Sequence, residues 1–528
     1  MLTLHPTIDQ TRAAFRWDIP DRYNIGVDCC DRNAALTPDA PAIIDATDGT
    51  VTTFAGLRSL SNRLAHALST LVGPGDRVGV LLPQRVETAA AHVAVTKMGA
   101  ISIPLFKLFG PDALRHRLGA AGAKVVITDA AGAATLVGLR DALPDLLRVV
   151  SVDDDFPDFI AGQSPDFTPH DTGPDDPAIL IFTSGTTGPP KGALHGHRVL
   201  LGHLPGVEMS HDGFPQAGDR IWTPADWAWI GGLLDVLLPA LHHGVPVVAS
   251  RFDRFTAESA FNLIRDHHVR NVFLPPTALK IMRQLDDPPK INLRSVASGG
   301  ETLGASLIAW GQDVLGCTIN EFYGQTECNM IVSSCAAIAP AEPGVMGYAV
   351  PGHDCRVIDD SGDPCGVGLE GDIAVRAPDP VMFLRYWNDA AATAEKFRCD
   401  WLITGDRGIL TDTGRIRFRG RADDVITSAG YRIGPAEIED CLLTHPAVRM
   451  AGVVGQPDDL RGEVIVAFVQ LAEGQAASDD LARALSDHVR TRLVAHEAPR
   501  HVHFIDALPM TTTGKLIRAD LRKLCVPS

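Results

Sequence analysis

From about residue 40 to residue 330 one local pattern recurs: a short unbroken apolar run, then a longer stretch with apolar residues at helical spacing. The runs at 77–82, 125–129, 178–183, 245–249, 271–274 and 295–298 are too short for helices, and they predict strands buried on both faces. Between them, 87–97, 233–242 and 257–267 predict helices. This alternation constrains the chain to α/β layers with largely parallel sheets. Between about 340 and 420 the pattern shortens into alternating runs separated by Gly, Pro and Asp, which predicts a small β-barrel or a distorted sheet. After Arg421 a new mixed pattern begins, with helices expected at 435–443 and 479–493 and strands at 463–469 and 501–505. The fold class is therefore α/β, a large N-terminal region of several subdomains over 1–422 and a separate small α+β domain over 423–528.

At 528 residues the chain can bury several cores, since domains average roughly 150 residues. Its 47 Lys and Arg against 64 Asp and Glu leave a net charge of −17 with no basic block. That balance excludes nucleic acid and anionic membrane as bulk partners, so an anionic ligand must be gripped locally. The ten cysteines are scattered apart from Cys29 and Cys30 and lack zinc-site spacing, as expected of reduced cytosolic thiols. No basic and apolar leader opens the sequence, and its most apolar stretch, 232–250, is interrupted by Asp235, Pro239, His242 and His243. A cytoplasmic protein with no membrane span is expected, with homo-oligomerisation left open.

The segment 179–192, ILIFTSGTTGPPKG, carries a buried-strand pattern into a loop of small hydroxyl and glycine residues ending in Lys191. Glycines let backbone N–H groups approach a polyphosphate, Ser and Thr add short donors, and the lysine adds charge. The Walker pattern cannot be laid on it, because Gly192 follows the lysine. Farther along, NEFYGQTE at 320–327 offers an aromatic face, a hydroxyl and a carboxylate within five residues, groups suited to a base, a phosphate and a hard cation. Alone, such a pentad reads as a turn with a core tyrosine, and Lys515 alone reads as solvated surface.

Together these segments resemble the adenylate-forming superfamily of acyl-CoA synthetases, nonribosomal adenylation domains and luciferases. FTSGTTGPPKG matches its phosphate loop, which implies ATP contacts for Thr183, Ser184, Gly185, Thr186, Thr187, Gly188 and Lys191. SGGET at 298–302 is similar to the loop beside the adenine and implies Gly300, Glu301 and Thr302. NEFYGQTE implies nucleotide contacts through Glu321, Phe322, Tyr323, Gly324 and Gln325, with Tyr323 on adenine. By the same resemblance Thr326 meets the α-phosphate and Glu327 the Mg2+. WLITGD at 401–406 and GRADDVITSAGYRI at 420–433 place Asp406 and Arg421 on the ribose and Asp423 at the hinge. PMTTTGKLIR at 509–518 puts Lys515 at the catalytic lysine. The resemblance spans roughly residues 25 to 525.

Within the superfamily the chain looks most like the short- and medium-chain acyl-CoA synthetases, through ADDVITSAGYRIGPAEIE, PDDLRGE and APRHVHFIDALPMTTTGK. That resemblance implies coenzyme A as co-substrate, with Ser428, Ala429, Gly430, Tyr431 and Arg432 lining its tunnel and Arg461, Arg490 and Arg500 near its nucleotide. HEAP at 496–499 departs from the Tyr and Lys that many relatives carry before the proline. Acetate-specific relatives place a Trp before Gln-Thr-Glu; this chain has Gly324, so an acyl group larger than acetyl is expected. Trp222, Trp227 and Trp229 are candidates to wall the acyl pocket, Trp229 first, and no acid stands there to bind an α-amine.

His195 and His197 are expected to cap and pack at a helix start, and the 242–243 and 267–268 pairs to sit at helix C-termini. The expected reaction joins a small-molecule carboxylic acid, ATP and CoA through an acyl-adenylate. The alternatives are an enzyme that loads a carrier protein, a regulator that binds acyl-AMP without catalysis, and a luciferase-like oxygenase.

Overall fold

Along residues 125–128 every side chain is buried, yet the neighbours alternate: Val125 and Ile127 join a core with Leu64, Leu68 and Val95, while Val126 joins Leu114, Leu118 and Leu180. A strand with period two can do this only when both sheet faces are covered. The computed structural model describes all residues except 1, 184–189, 253, 301–302, 422–423, 425, 429–430, 459–461, 494–496, 512–514 and 526–528. It divides the chain into two units: Met1–Cys355 with Val375–Leu402, and Arg356–Ala374 with Ile403–Ser528.

In the first unit the expected runs become two sheets. One has the order Arg385–Tyr386, Gly192–Gly196, Pro177–Phe182, Ile101–Pro104, Arg77–Leu81, Val125–Thr128, Arg148–Ser151. From Pro177–Phe182 onward its pairs are parallel, and the first two strands are antiparallel additions. The other has the order Tyr348–Ala349, Cys328–Ser333, Ile319–Gln325, Ser295–Gly299, Asn271–Phe273, Ile221–Trp222, Val247–Ala249, Pro41–Asp45, Val51–Thr53. It is parallel from Ile319–Gln325 to Pro41–Asp45 and antiparallel at its margins.

The helices follow from their ends. Ala257–Asp266 opens with a reciprocal cap between Thr256 and Ser259 and closes before His267. The helix expected at 233–242 is longer: Ile230–Gly232, a wide π turn at Leu233–Leu237, then Leu238–His243, ended by Gly244 at φ 72°. Asp235 lies in the wide turn.

The 340–420 stretch is shared out. Tyr348–Ala349 joins one large sheet by folding back on the nearby Cys328–Ser333, and Arg385–Tyr386 joins the other, on Gly192–Gly196 about 190 residues earlier. In the second unit, Trp401–Leu410 pairs antiparallel with Ile416–Arg421 from residue 406 onward. The C-terminal sheet has the order Tyr431–Ile433, Ile426–Ser428, Gly462–Leu471, Val448–Asp458, and His501–Phe504 runs parallel to Gly462–Leu471. Alternation again sorts its faces: Val453, Ile465, Ala467 and Val469 pack with Leu442 and Leu485, whereas Val454, Val466 and Phe468 pack with Leu521. No described helix is long and apolar enough to cross a membrane.

Candidate active site

Two loops of the first unit carry most of the expected nucleotide residues. Pro177–Phe182 and Gly192–Gly196 form an antiparallel pair, with Phe182 opposite Gly192. Thr183 closes the loop between them: its N–H and its hydroxyl donate to the Lys191 carbonyl at 2.9 and 3.3 Å. Ser184, Gly185, Thr186, Thr187 and Gly188 lie outside the described residues. The loop joins two strands, unlike the strand-to-helix turn of a Walker site. Its lysine ammonium lies 5.4 Å from the Tyr386 ring centroid.

The second loop grows from parallel neighbours, Ser298 opposite Glu321 and Gly299 opposite Phe322. Gly300 therefore leaves the sheet beside Tyr323, which is still paired with Val332, at the C-terminal end of the parallel strands, where ligands of α/β sheets bind. Gly300 has φ 105°, open to glycine and strained for any other residue. Glu301 and Thr302 lie outside the described residues. Glu321 and Phe322 are both buried, on opposite faces of the strand: the Glu321 carboxylate accepts from Leu303 N at 3.1 Å, and the Phe322 ring packs 5.2 Å from Phe273. Tyr323, Gly324, Gln325 and Thr326 are half-buried, and Glu327 is 7% exposed.

The turn bearing Thr326 and Glu327 is tied down at several atoms. Tyr386 donates its hydroxyl to Glu327 Oε1, and Phe383 N donates to the Glu327 carbonyl at 2.8 Å. Lys396 Nζ donates to Gln325 Oε1 at 2.8 Å. Asn329 Nδ2 donates to both oxygens of the buried Asp235, at 2.8 and 2.9 Å. Burial pushes the Asp235 carboxyl well above the usual carboxylate range, opposed by that hydrogen bond. Burial also pushes Asp226, in the loop before Trp229, up to about 7.

Of the three candidate pocket tryptophans, Trp222 lies in a different core, its Nε1 donating to Ser250 Oγ at 2.9 Å. Trp227 is fully buried, while Trp229 is half-buried 6.1 Å from Phe273 and so continues the ring series to Phe322. A Cβ on Gly324 would stand 2.8 Å from Asn329 Cα and 2.4 Å from its Oδ1. Glycine at 324 is thus required by the close approach of Asn329.

His195 lies in the Gly192–Gly196 strand, which corrects the expectation of a helix start; the helix begins at Val199. Its burial lowers the imidazole to about 3. His197 packs as expected, its Nδ1 accepting from Ile25 N at 3.1 Å. The pairs at 242–243 and 267–268 do stand at helix C-termini.

In the second unit Asp406 and Arg421 face each other across one register position, two chemistries suited to one polyol. Lys515 is exposed on a loop stapled by two hydrogen bonds, Thr511 N to the Lys515 carbonyl at 2.7 Å and Lys515 N to Thr511 Oγ1 at 3.0 Å. The next turn is anchored by Arg518 on Glu439 at 2.7 Å. Ser428 is buried opposite Tyr431. The side chains of Tyr431 and Arg432, and all of Ala429, Gly430, Asp423 and Arg461, lie outside the described residues. Arg490 makes a helical surface ion pair with Asp487 at 2.6 Å, and Arg500 is exposed where the His501–Phe504 strand begins.

The comparisons match this layout. A family model described as "AMP-binding enzyme" matches residues 30–387, and one described as "AMP-binding enzyme C-terminal domain" matches residues 437–515. The chain belongs to the AMP-binding enzyme family. It is 32% identical to a mitochondrial acyl-coenzyme A synthetase of Homo sapiens, over 96% of this chain and 91% of that one. Among solved structures it is similar to an acyl-CoA synthetase of Brucella canis, at 33% identity and TM-score 0.75, covering 98% of this chain and 99% of the other. An anthranilate CoA ligase in complex with anthranoyl-AMP superposes at TM-score 0.88 and 27% identity, with 96% and 98% covered.

The donor set of this AMP-binding enzyme fits Mg2+. Among the described residues no group of three or more His, Cys, Asp or Glu is placed to hold a metal. One buried carboxylate, Glu327, follows Thr326 in the turn, and Mg2+ is commonly held by one or two carboxylates plus substrate phosphates. Sequence reasoning did not find Tyr386, Lys396, Asn329 or the role of Asp235. Tyr386 carries no local signal, since its strand pairs with residues about 190 positions earlier. Asp235, an acid inside an apolar run, was the one available clue.

Proposed function

We propose that this chain, an AMP-forming acid–CoA ligase, works in the cytoplasm on a carboxylic acid larger than acetate, in two half-reactions. In the first, a carboxylate oxygen attacks the α-phosphorus of ATP and pyrophosphate leaves, giving an acyl-adenylate. In the second, the CoA thiolate attacks the acyl carbon and AMP leaves. Adenylation removes the charge that repels nucleophiles and replaces an oxide leaving group by a phosphate.

The observation that carries the reading is the convergence of Lys191, from one sheet's loop, and Glu327, from the other sheet's turn, on one tyrosine, the first over the Tyr386 ring and the second at its hydroxyl. A cation and a metal-binding carboxylate held together suit the triphosphate of one nucleotide. Tyr323 then offers its face to adenine, and Thr326 donates to the α-phosphate. Glu327 would hold Mg2+, which supplies charge neutralisation on the pyrophosphate. Asp406 and Arg421 bind the ribose, and Lys515 bridges the carboxylate and the α-phosphate, so the work is positioning and electrostatics. Residues 428–432 admit pantetheine past Gly430, and Arg461, Arg490 and Arg500 meet the CoA nucleotide. Lys515 and Gly430 serve different half-reactions from the same C-terminal domain, so we place at Asp423 the hinge about which that domain turns between the two half-reactions. Trp229 walls the acyl pocket.

Acid-dependent exchange of labelled pyrophosphate into ATP tests this reading, with acetate, butyrate, isobutyrate, hexanoate and benzoate compared. Exchange with at least one larger acid exceeding that with acetate is expected, and CoA should then convert the adenylate to a thioester. Exchange confined to acetate would overturn the acyl assignment, and absence of exchange with every acid would overturn the reading.

A further inference from the structure

Tyr386 lies on the two-residue edge strand Arg385–Tyr386, with Tyr386 opposite Ala193, two residues past Lys191. Its sheet is the one that ends in the phosphate-type loop; Glu327 belongs to the other. The hydroxyl donates to Glu327 Oε1, and the ring face lies 5.4 Å from the Lys191 ammonium. Backbone bonds fix the tyrosine from both sides: Tyr386 N donates to Thr393 Oγ1 at 2.9 Å, Leu384 N to the Leu194 carbonyl at 2.7 Å, and Trp387 N to the Gly192 carbonyl at 2.7 Å. Phe383 packs on its ring at 4.9 Å, and the residue is 5% exposed. We propose that Tyr386 is a positioning residue that presets the Glu327 carboxylate and the Lys191 ammonium for one Mg2+–triphosphate group. The proposal rests on the reading above that Glu327 and Lys191 meet the metal and the phosphates.

A lone glutamate rotamer is loose, and a metal arriving at it must order the side chain as well as shed water. The phenol removes that requirement by engaging one carboxylate oxygen and leaving the other to the cation. The same ring offers Lys191 a π face, which keeps the cation from collapsing onto Glu327. Partners that orient a metal ligand in this way typically change metal affinity by about 10–100-fold when removed.

The test is calorimetric binding of α,β-methylene-ATP to the full chain over a Mg2+ series, without acid or CoA, so the readout is not turnover. Tyr386→Phe keeps the ring and removes only the donor; it should raise the Mg2+ concentration for half-maximal binding about tenfold and leave metal-free binding unchanged. Tyr386→Leu should in addition weaken metal-free binding, because Lys191 loses its ring. Glu327→Gln separates the proposal from the reading beneath it. If Glu327→Gln abolishes the Mg2+ dependence while Tyr386→Phe retains the wild-type midpoint, the Tyr386 proposal is overturned and the reading stands. If Glu327→Gln leaves the dependence unchanged, the reading fails and the proposal with it. Should Tyr386→Phe not fold, Tyr386→His, which keeps a ring N–H donor, is titrated instead; a midpoint within about threefold of wild type supports the proposal, and a tenfold rise overturns it.

Discussion

The first unit should lose stability steeply between pH 7.5 and pH 5.5. His92, His195, His197, His203 and His211 are buried, and burial lowers them to about 4, 3, 4, 3 and 3 respectively. An unfolded histidine titrates near pH ~6.5, so between pH 6.5 and about 4 the unfolded chain binds protons that the folded one refuses. Stability is therefore full above pH ~6.5 and falls as pH drops toward the folded values. At pH 5.5, a unit below the unfolded value, each such histidine costs on the order of 1 kcal/mol, and five together cost several kcal/mol. That sum compares with the roughly 5–15 kcal/mol that holds a typical domain folded. His92→Gln isolates one increment: His92 Nδ1 pairs with Ser102 Oγ at 2.8 Å, a bond that an amide can replace. Urea unfolding of wild type and variant, followed at pH 7.5 and pH 5.5, should show the variant's loss between the two smaller by on the order of 1 kcal/mol. Identical losses in the two proteins would refute the assignment of a buried neutral imidazole.

Lys515→Ala should slow adenylation about 10²–10³-fold while thioester formation from supplied acyl-AMP stays within a few-fold of wild type, measured as single-turnover half-reactions. Loss of both in proportion in a folded variant would contradict the role given to Lys515. Trp229→Ala should favour longer acids, by about fourfold in relative kcat/KM per added methylene, whereas Gly324→Ala should leave the acid profile unchanged. The glycine substitution should instead cost about 1–3 kcal/mol of stability, because the new Cβ meets Asn329 Cα at 2.8 Å. The reverse pattern would place the acyl wall at 324.

Buried parallel strands were legible because each is a short apolar run, and 77–82, 125–129 and 178–183 differ from the observed strands by at most a residue at either end. Val448–Asp458 was not legible. Gly452 and Gly455 interrupt its pattern, and at each a neighbour's side-chain end packs into the space a Cβ would take: Leu516 and Leu521 against the first, Glu463 against the second. The glycines thus record tertiary packing that no window of sequence contains. The same division runs through the site. Tyr323, Thr326, Glu327 and Lys191 could be named because they are contiguous with motifs, whereas Tyr386 and Asn329 act through partners about 60 and 94 residues away. Gly324 was read as a vacancy left by a missing indole; the contact with Asn329 adds a steric reason for glycine there that no local pattern shows.

The central claim is that a carboxylate oxygen forms a bond to the α-phosphorus before the thiol attacks. Following 18O from the doubly labelled form of whichever acid supports exchange tests it most directly, with ATP, Mg2+ and CoA present and the nucleotide product weighed by mass spectrometry. One label should appear in the phosphate of AMP, one should remain in the acyl-CoA carbonyl, and pyrophosphate should carry none. Label in inorganic phosphate with ADP formed, or unlabelled AMP alongside acyl-CoA, would contradict an acyl-adenylate.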